Sequence, residues 1–304
     1  MKNIYIASCT STGGILRCEL SDAGELIPAE FVRLDRPMYM AMGESTLFVL
    51  LRAPFPASDN SGLVRIPLDA VGRMRKPTPT ESIPGIVSAY LSIVKGRIYT
   101  ANYISGDISL LPELNMPHGE GAHPHYIAPT PDGEYIAVAD LGTDSIYTYS
   151  PKLELMHRLT LPHGSGCRHL AFSPDGNYAY CANEKNSTVC VLRYEGGKFT
   201  LLSTVAALPG DWKDFNAPAA IRCDNEHVWL SHRGFDHISR FVRRGDELHI
   251  SEHIPSGGSW PRDFILADGH VICANEKSNT VTVLCNDRVV HSLPIEIPVA
   301  VISA

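Results

Sequence analysis

The 304-residue sequence has no long apolar run, and so no segment that could cross a bilayer as a helix, which takes about 20 consecutive apolar residues. The opening stretch, Met1 to Ser8, alternates β-forming residues and is too short for the apolar region of a secretory signal. The expectation is a cytoplasmic chain with no membrane partner. Basic residues are in the minority, 26 Lys and Arg against 33 Asp and Glu, for a formal net charge of -7. Nucleic acids and anionic membranes are bound through basic surfaces that neutralise phosphates. Neither is expected as a partner, and any anion site must be local.

Several chemical signatures are missing as well. The eight cysteines form no Cys-x-x-Cys pair and lie mostly inside apolar β-like runs, as reduced core residues do. There is no Gly-x-Ser-x-Gly elbow, no phosphate-binding loop ending in Lys-Ser/Thr and no dinucleotide fingerprint. Serine-nucleophile hydrolysis and nucleotide chemistry therefore lose support, and no cofactor is called for. Amphipathic patterns of period 3.6 are also absent. With 44% apolar and 19% charged residues, the composition is that of a globular protein with a large core.

A repeated unit is what the sequence does contain: an alternating run, a turn, a second apolar run, a Gly/Asn/Asp-rich turn and a third run. It is clearest from Tyr135, Tyr178, His227 and His270, and weaker copies begin near Asn3, Thr46 and Arg97. A period of about 40 to 45 residues in short strands fits four-stranded propeller blades. Seven such units nearly exhaust the chain. The fold class is therefore read as all-β, a seven-bladed β-propeller of four-stranded antiparallel blades in a single domain, 1–304. The two ends are expected to share a blade, with a C-terminal run such as Val289 to Pro294 pairing beside the N-terminal strands to close the ring.

Turns such as Pro131-Asp132-Gly133 and Pro174-Asp175-Gly176 fix the hairpins. The strand before each of these turns should be innermost in its blade. Paired positions in an antiparallel hairpin sum to a near-constant number, so Arg168 should face the neighbourhood of Glu184. By the same rule His125 opens the inner strand of the preceding blade, and Arg233 ends the second strand of the following one. All four should rim one mouth of the channel, where two guanidinium groups, a carboxylate and an imidazole would suit an anionic substrate and acid/base chemistry.

Plainer readings stand beside this one. Arg168 and Glu184 are equally consistent with a structural ion pair. Asn183-Glu184-Lys185 recurs as Asn275-Glu276-Lys277, and a repeated triplet is more often turn chemistry, the reading preferred for Glu276. His123-Pro124-His125 resembles a metal pair only superficially, because alternate strand residues point to opposite faces; no metal site is expected. Arg262, in Trp260-Pro261-Arg262-Asp263, opens an inner strand as Arg168 does and is a candidate substrate contact, together with His123 and His169; the plainer readings are an Arg262–Asp263 ion pair and, for His169, a satisfied loop or core group. The segments 53–62 and 209–218, the latter with Trp212 and Phe215, are either pocket walls or exposed loops.

From His123 to Phe264 the sequence resembles the bacterial lactonase family of seven-bladed propellers, which includes the propeller type of 6-phosphogluconolactonase and the fungal carboxy-cis,cis-muconate lactonising enzyme. The matching motifs are His123-Pro124-His125, Asp140-Leu141-Gly142-Thr143-Asp144, Gly166-Cys167-Arg168-His169, Asn183-Glu184, Ala219-Ala220-Ile221, Arg233-Gly234 and Pro261-Arg262. The resemblance implies that His125, Arg168, Glu184 and Arg233 match the family's active-site positions. It further implies metal-independent hydrolysis of a small anionic lactone such as 6-phosphogluconolactone. A muconate-type cycloisomerase and a non-catalytic binding scaffold remain the alternatives. The N-terminal third departs from the family: Val49-Leu50-Leu51-Arg52 stands where many members look like Val-Asn-Glu, and Ala89-Tyr90-Leu91 where they often carry a histidine.

Overall fold

A computed structural model describes residues 1–304 as 28 strands in seven four-stranded antiparallel sheets, with no helix. In six blades the strands follow chain order from the channel outwards. The fifth blade, for instance, runs Cys167–Phe172, Tyr178–Asn183, Thr188–Glu195 and Lys198–Ala206. Innermost strands of successive blades touch one another all the way round the ring. Their side chains are buried or half-buried, with none exposed, whereas outer strands such as Leu155–Thr160 alternate with solvent. Apolar faces of neighbouring blades pack together. Ile4, Ile6 and Cys18 of the first blade meet Ile272, Val281 and Val283 of the last, as stacked twisted sheets require.

The two ends share the first blade, as the sequence leads one to expect, but through a different C-terminal segment. Val289 to Pro294 belongs to Arg288–Pro294, which pairs within its own blade to Thr280–Cys285. The reason is local: Asn286 and Asp287 both adopt positive φ, 48° and 62°, the geometry of a two-residue type I′ hairpin that returns the chain onto the preceding strand. Closure falls to the next segment, Pro298–Ser303, which becomes the innermost strand of the first blade and pairs with Lys2–Ser8 through Ile4↔Ser303 and Ile6↔Val301.

A buried polar rung recurs where the second strand ends. Asn102 Nδ2 donates to Ser109 Oγ at 2.9 Å, Asn183 Nδ2 to Cys190 Sγ at 3.1 Å and Asn275 Nδ2 to Thr282 Oγ1 at 3.0 Å, and His232 Nε2 lies 2.8 Å from Ser239 Oγ. Each pair ties the second strand to the third and satisfies groups that would be costly to bury alone. The repeated Asn-Glu-Lys triplet is thereby divided: its asparagine holds the blade together, and its glutamate is left at the channel mouth. All eight cysteines are free thiols, five of them buried.

Candidate active site at the channel mouth

Every innermost strand carries a register irregularity near its start, at the channel mouth. The shifts fall between Pro37 and Tyr39, Ser88 and Tyr90, Pro124 and Tyr126, Cys167 and His169, Pro218 and Ile221, and Pro261 and Asp263, with the closing strand irregular opposite Ala7 and Ser8. A bulge leaves its extra residue unpaired and re-aims its side chain. The bulged residues include Met38, Ala89, His125, Arg168 and Arg262. In the fifth blade the hairpin register holds from His169↔Ala182 onward, and Arg168 is the residue set free from it.

These residues help enclose a cavity of about 260 Å³ whose polar lining is Arg52, Tyr103, His125, Glu184, Arg233 and Arg262, with Met38, Val87, Ala89 and Ile104 as its apolar wall. Arg168 and His169 lie just beneath, in the floor shared with Arg262 and His125. Of the seven residues singled out from sequence, six therefore converge. His123 does not line the cavity: its Nδ1 is 2.7 Å from the Tyr103 carbonyl and its ring stacks on Tyr103 at 4.8 Å, so it backs the wall. Arg52 and Tyr103 are the polar lining residues that sequence reasoning missed. Counting positions through the repeat places both just after a second strand, as it does Glu184. Neither loop proposed as a wall lines the cavity. Phe215, 63% exposed, stacks on Trp260 at 5.6 Å, and the Arg233 guanidinium sits 5.9 Å from that indole.

Charge organises the cup. Glu184 Oε2 lies 2.6 Å from Arg233 Nη2 and 3.0 Å from Arg168 Nε. The first contact is an aligned hydrogen bond; the second is a charge contact without hydrogen-bond direction, so Arg168 Nε keeps unused donor capacity. Backbone carbonyls fix both guanidinium groups: Arg168 Nη1 donates to Ala219 O at 2.7 Å, and Arg233 donates to Ala217 O and Pro218 O at 3.2 Å. Arg262 pairs with Glu276 at 3.2 Å, so the second copy of the triplet also supplies a rim carboxylate and not merely a turn. Five guanidinium groups, those of Arg52, Arg168, Arg233 and Arg262 with Arg222 behind the floor, stand against three carboxylates, Glu184, Glu276 and Asp263, the last lining the floor and paired with Arg222 at 2.6 Å. The difference is two positive charges, concentrated in a chain that is negative overall.

Burial, followed by repulsion from Arg233, pulls Arg168 down to about 9, still charged at neutral pH. Burial works against the Glu184 carboxylate, but Arg233 and Arg168 outweigh it and hold the group below its ordinary range. His125 and His169 are pushed well below theirs, first by burial and then by Arg168. Both rings are neutral at pH 7, and His125 Nδ1 is buried without a hydrogen-bond partner. The arrangement offers a neutral imidazole next to fixed cations, able to take a proton from water while the guanidinium groups stabilise developing negative charge.

The buried histidines also set the acid response of the fold. His232 is lowered to about 3, chiefly by burial, and His125 and His169 shift in the same direction. Below the unfolded-state value of about 6.5, the unfolded chain takes up protons that these three cannot accept while folded. Each then removes stability at about 1.4 kcal/mol per pH unit until its own folded value is reached. Glu184, depressed in the fold, contributes nothing to this window. The unfolding free energy from urea titrations should therefore fall steadily from pH 7 to pH 5, by an amount on the order of several kcal/mol in all; a flat profile would show that these rings are not held neutral.

A separate cavity of about 220 Å³ lies at the far ends of the fifth and sixth blades, bounded by Asp175, Asp224, Glu226 and Arg243. It holds more carboxylates than cations and none of the converging groups above.

Comparison with known proteins agrees with the geometry. An uncharacterized protein of Staphylococcus aureus strain USA300 is 30% identical over 317 aligned residues, covering 92% of this chain and 91% of the relative. Two solved structures share the fold. One is a Pseudomonas aeruginosa periplasmic gluconolactonase (TM-score 0.88, 22% identity, 99% of this chain and 98% of the other). The second, from Bacteroides fragilis, is a candidate 6-phosphogluconolactonase (TM-score 0.87, 23% identity, 100% and 98%). The family model described as lactonase, 7-bladed beta-propeller, matches residues 3–293, and this chain belongs to that family.

Proposed function

We propose that the protein hydrolyses a sugar-acid lactone, 6-phosphogluconolactone being the preferred substrate, at the mouth defined by His125, Arg168, Glu184 and Arg233. The observation that carries this reading is the excess of cations around a neutral, unpartnered imidazole in one small cup. Family membership supports it, as does the activity named for the Pseudomonas neighbour. Water adds to the ester carbonyl and gives its proton to His125, while Arg168 and Arg233 hold the oxyanion. Collapse breaks the bond to the ring oxygen, which takes up the proton as a hydroxyl. The products are the open-chain hydroxy acid and, on ionisation, a proton.

His125 suits the base role better than Glu184. The carboxylate already serves two guanidinium groups through one oxygen. An anionic substrate would offset the field of those same arginines and so raise the basicity of the imidazole towards neutral pH. Titration of the acid released from fresh lactones, phosphorylated and not, corrected for spontaneous opening, tests the reading. Saturable acceleration of at least one sugar-acid lactone is the expected result. No acceleration across the panel would refute it, and ring closure of a muconate instead would identify a cycloisomerase.

A further inference from the structure

Five blades build the channel rim in the same way. The residue after the second strand donates its backbone N–H to the carbonyl of a residue in the left-handed conformation just before an inner strand. The pairs are Cys9 to Ile297, Arg52 to Arg36, Tyr103 to Val87, Glu184 to Gly166 and Glu276 to Trp260, at 2.8 to 3.0 Å. These five residues therefore occupy one structural slot. Two of them are glutamates, and each neutralises the bulge arginine of its own blade, Glu184 with Arg168 and Glu276 with Arg262. In the second blade the charge of the slot is reversed: it holds Arg52, and the bulge residue is Met38.

Arg52 consequently has no acid opposite it. Among the guanidinium groups of the cup, Arg168 and Arg233 share Glu184 and Arg262 has Glu276, whereas Arg52 makes neither an ion pair nor a side-chain hydrogen bond. Its backbone is nevertheless fixed on both sides. The Arg52 N–H bonds to Arg36 O at 2.9 Å, and Arg36 Nη2 bonds to the carbonyl of Ala53 at 2.9 Å. An exposed but anchored guanidinium lining a cavity, with no partner, is suited to a ligand anion. It also sits three blades round the ring from Arg168 and Glu184, across the mouth from the groups that would hold the ester.

Building on the lactonase reading, we propose that Arg52 is the specificity-determining seat for a second anionic group, phosphate or carboxylate, carried by the substrate remote from its ester. The ester carbonyl lies against Arg168 and Arg233, and the anionic end reaches across the cup to Arg52. The site thereby selects lactones with charge at the far end over their neutral-tailed analogues.

Two measurements test this. In the first, kcat/KM for 6-phosphogluconolactone is divided by that for gluconolactone in the wild type, Arg52→Gln and Arg52→Lys. The ratio should fall about tenfold or more in Arg52→Gln, mainly through KM, and recover in part in Arg52→Lys, since one charge-assisted contact is worth about that much. An unchanged ratio in Arg52→Gln would overturn the proposal. In the second, calorimetric titration with gluconate, 6-phosphogluconate and glucarate asks the same of binding alone and separates phosphate from carboxylate as the preferred tail. A preference for 6-phosphogluconate or glucarate over gluconate that disappears in Arg52→Gln supports the seat even if no lactone is turned over, in which case the lactonase reading fails and the seat stands. Turnover with no tail preference in the wild type leaves the lactonase reading intact and removes the seat.

Discussion

Replacing Arg168 with Met should lower turnover of the lactone about a hundredfold or more, the usual cost of removing a preorganised donor from a developing oxyanion. The loss should appear in kcat and kcat/KM alike, because the interaction strengthens only in the transition state. The substitution suits the site. Met fills much of the volume of a side chain that is 3% exposed, and Glu184 keeps its contact with Arg233. The guanidinium is itself costly to bury, as its lowering to about 9 shows, so folding should suffer less than catalysis. Circular dichroism and the urea midpoint would establish that the variant is folded. Near-normal turnover in a folded Arg168→Met would remove this residue from the mechanism and leave it as the support of the Ala219 carbonyl.

Glu184→Gln should produce the largest loss of stability, on the order of 3 kcal/mol, because it leaves two buried cations without their shared carboxylate. The group is 24% exposed, which tempers the effect relative to a fully buried pair. In the double variant Arg168→Met/Glu184→Gln, part of that loss should return, since only Arg233 is then left unmatched, and it keeps its bonds to Ala217 O and Pro218 O. A double-mutant cycle on the denaturation midpoint measures this coupling. Additive losses would mean that Glu184 does not neutralise Arg168. The wild-type carboxylate, held below its ordinary range, contributes its stability above the unfolded-state value of about 4.3 and loses it as the pH falls through the folded one. The acid limb of the curve below pH 4 should accordingly be shallower in Glu184→Gln.

The fold was legible in the sequence because each blade repeats the same physics: turn residues at fixed offsets, period-2 strands and a spacing of about 40 residues. That the two ends share a blade was legible too; which C-terminal segment closes the ring was not, because the decisive feature is the φ of Asn286 and Asp287. An Asn-Asp pair permits a tight hairpin but does not announce one. Hairpin arithmetic brought Arg168 to Glu184 correctly, since that hairpin keeps its register from His169 down to the turn.

The bulges were not legible. A single extra residue leaves no compositional mark, yet it is what aims His125, Arg168 and Arg262 into the cup. Arg52 was passed over for a related reason: pattern matching rewards identity between repeats, and this position matters because it carries the opposite charge. His123 and His125 share one motif, but Pro124 lies between them and the two side chains part, one to the cavity and one behind Tyr103.

The most direct test of the cup as the reaction site is a crystal structure of the protein with the product 6-phosphogluconate. The new carboxylate is expected within hydrogen-bond reach of Arg168 or Arg233, next to the His125 ring. Product seated at the opposite end of the ring, or a cup closed to it under saturating ligand, would contradict the account.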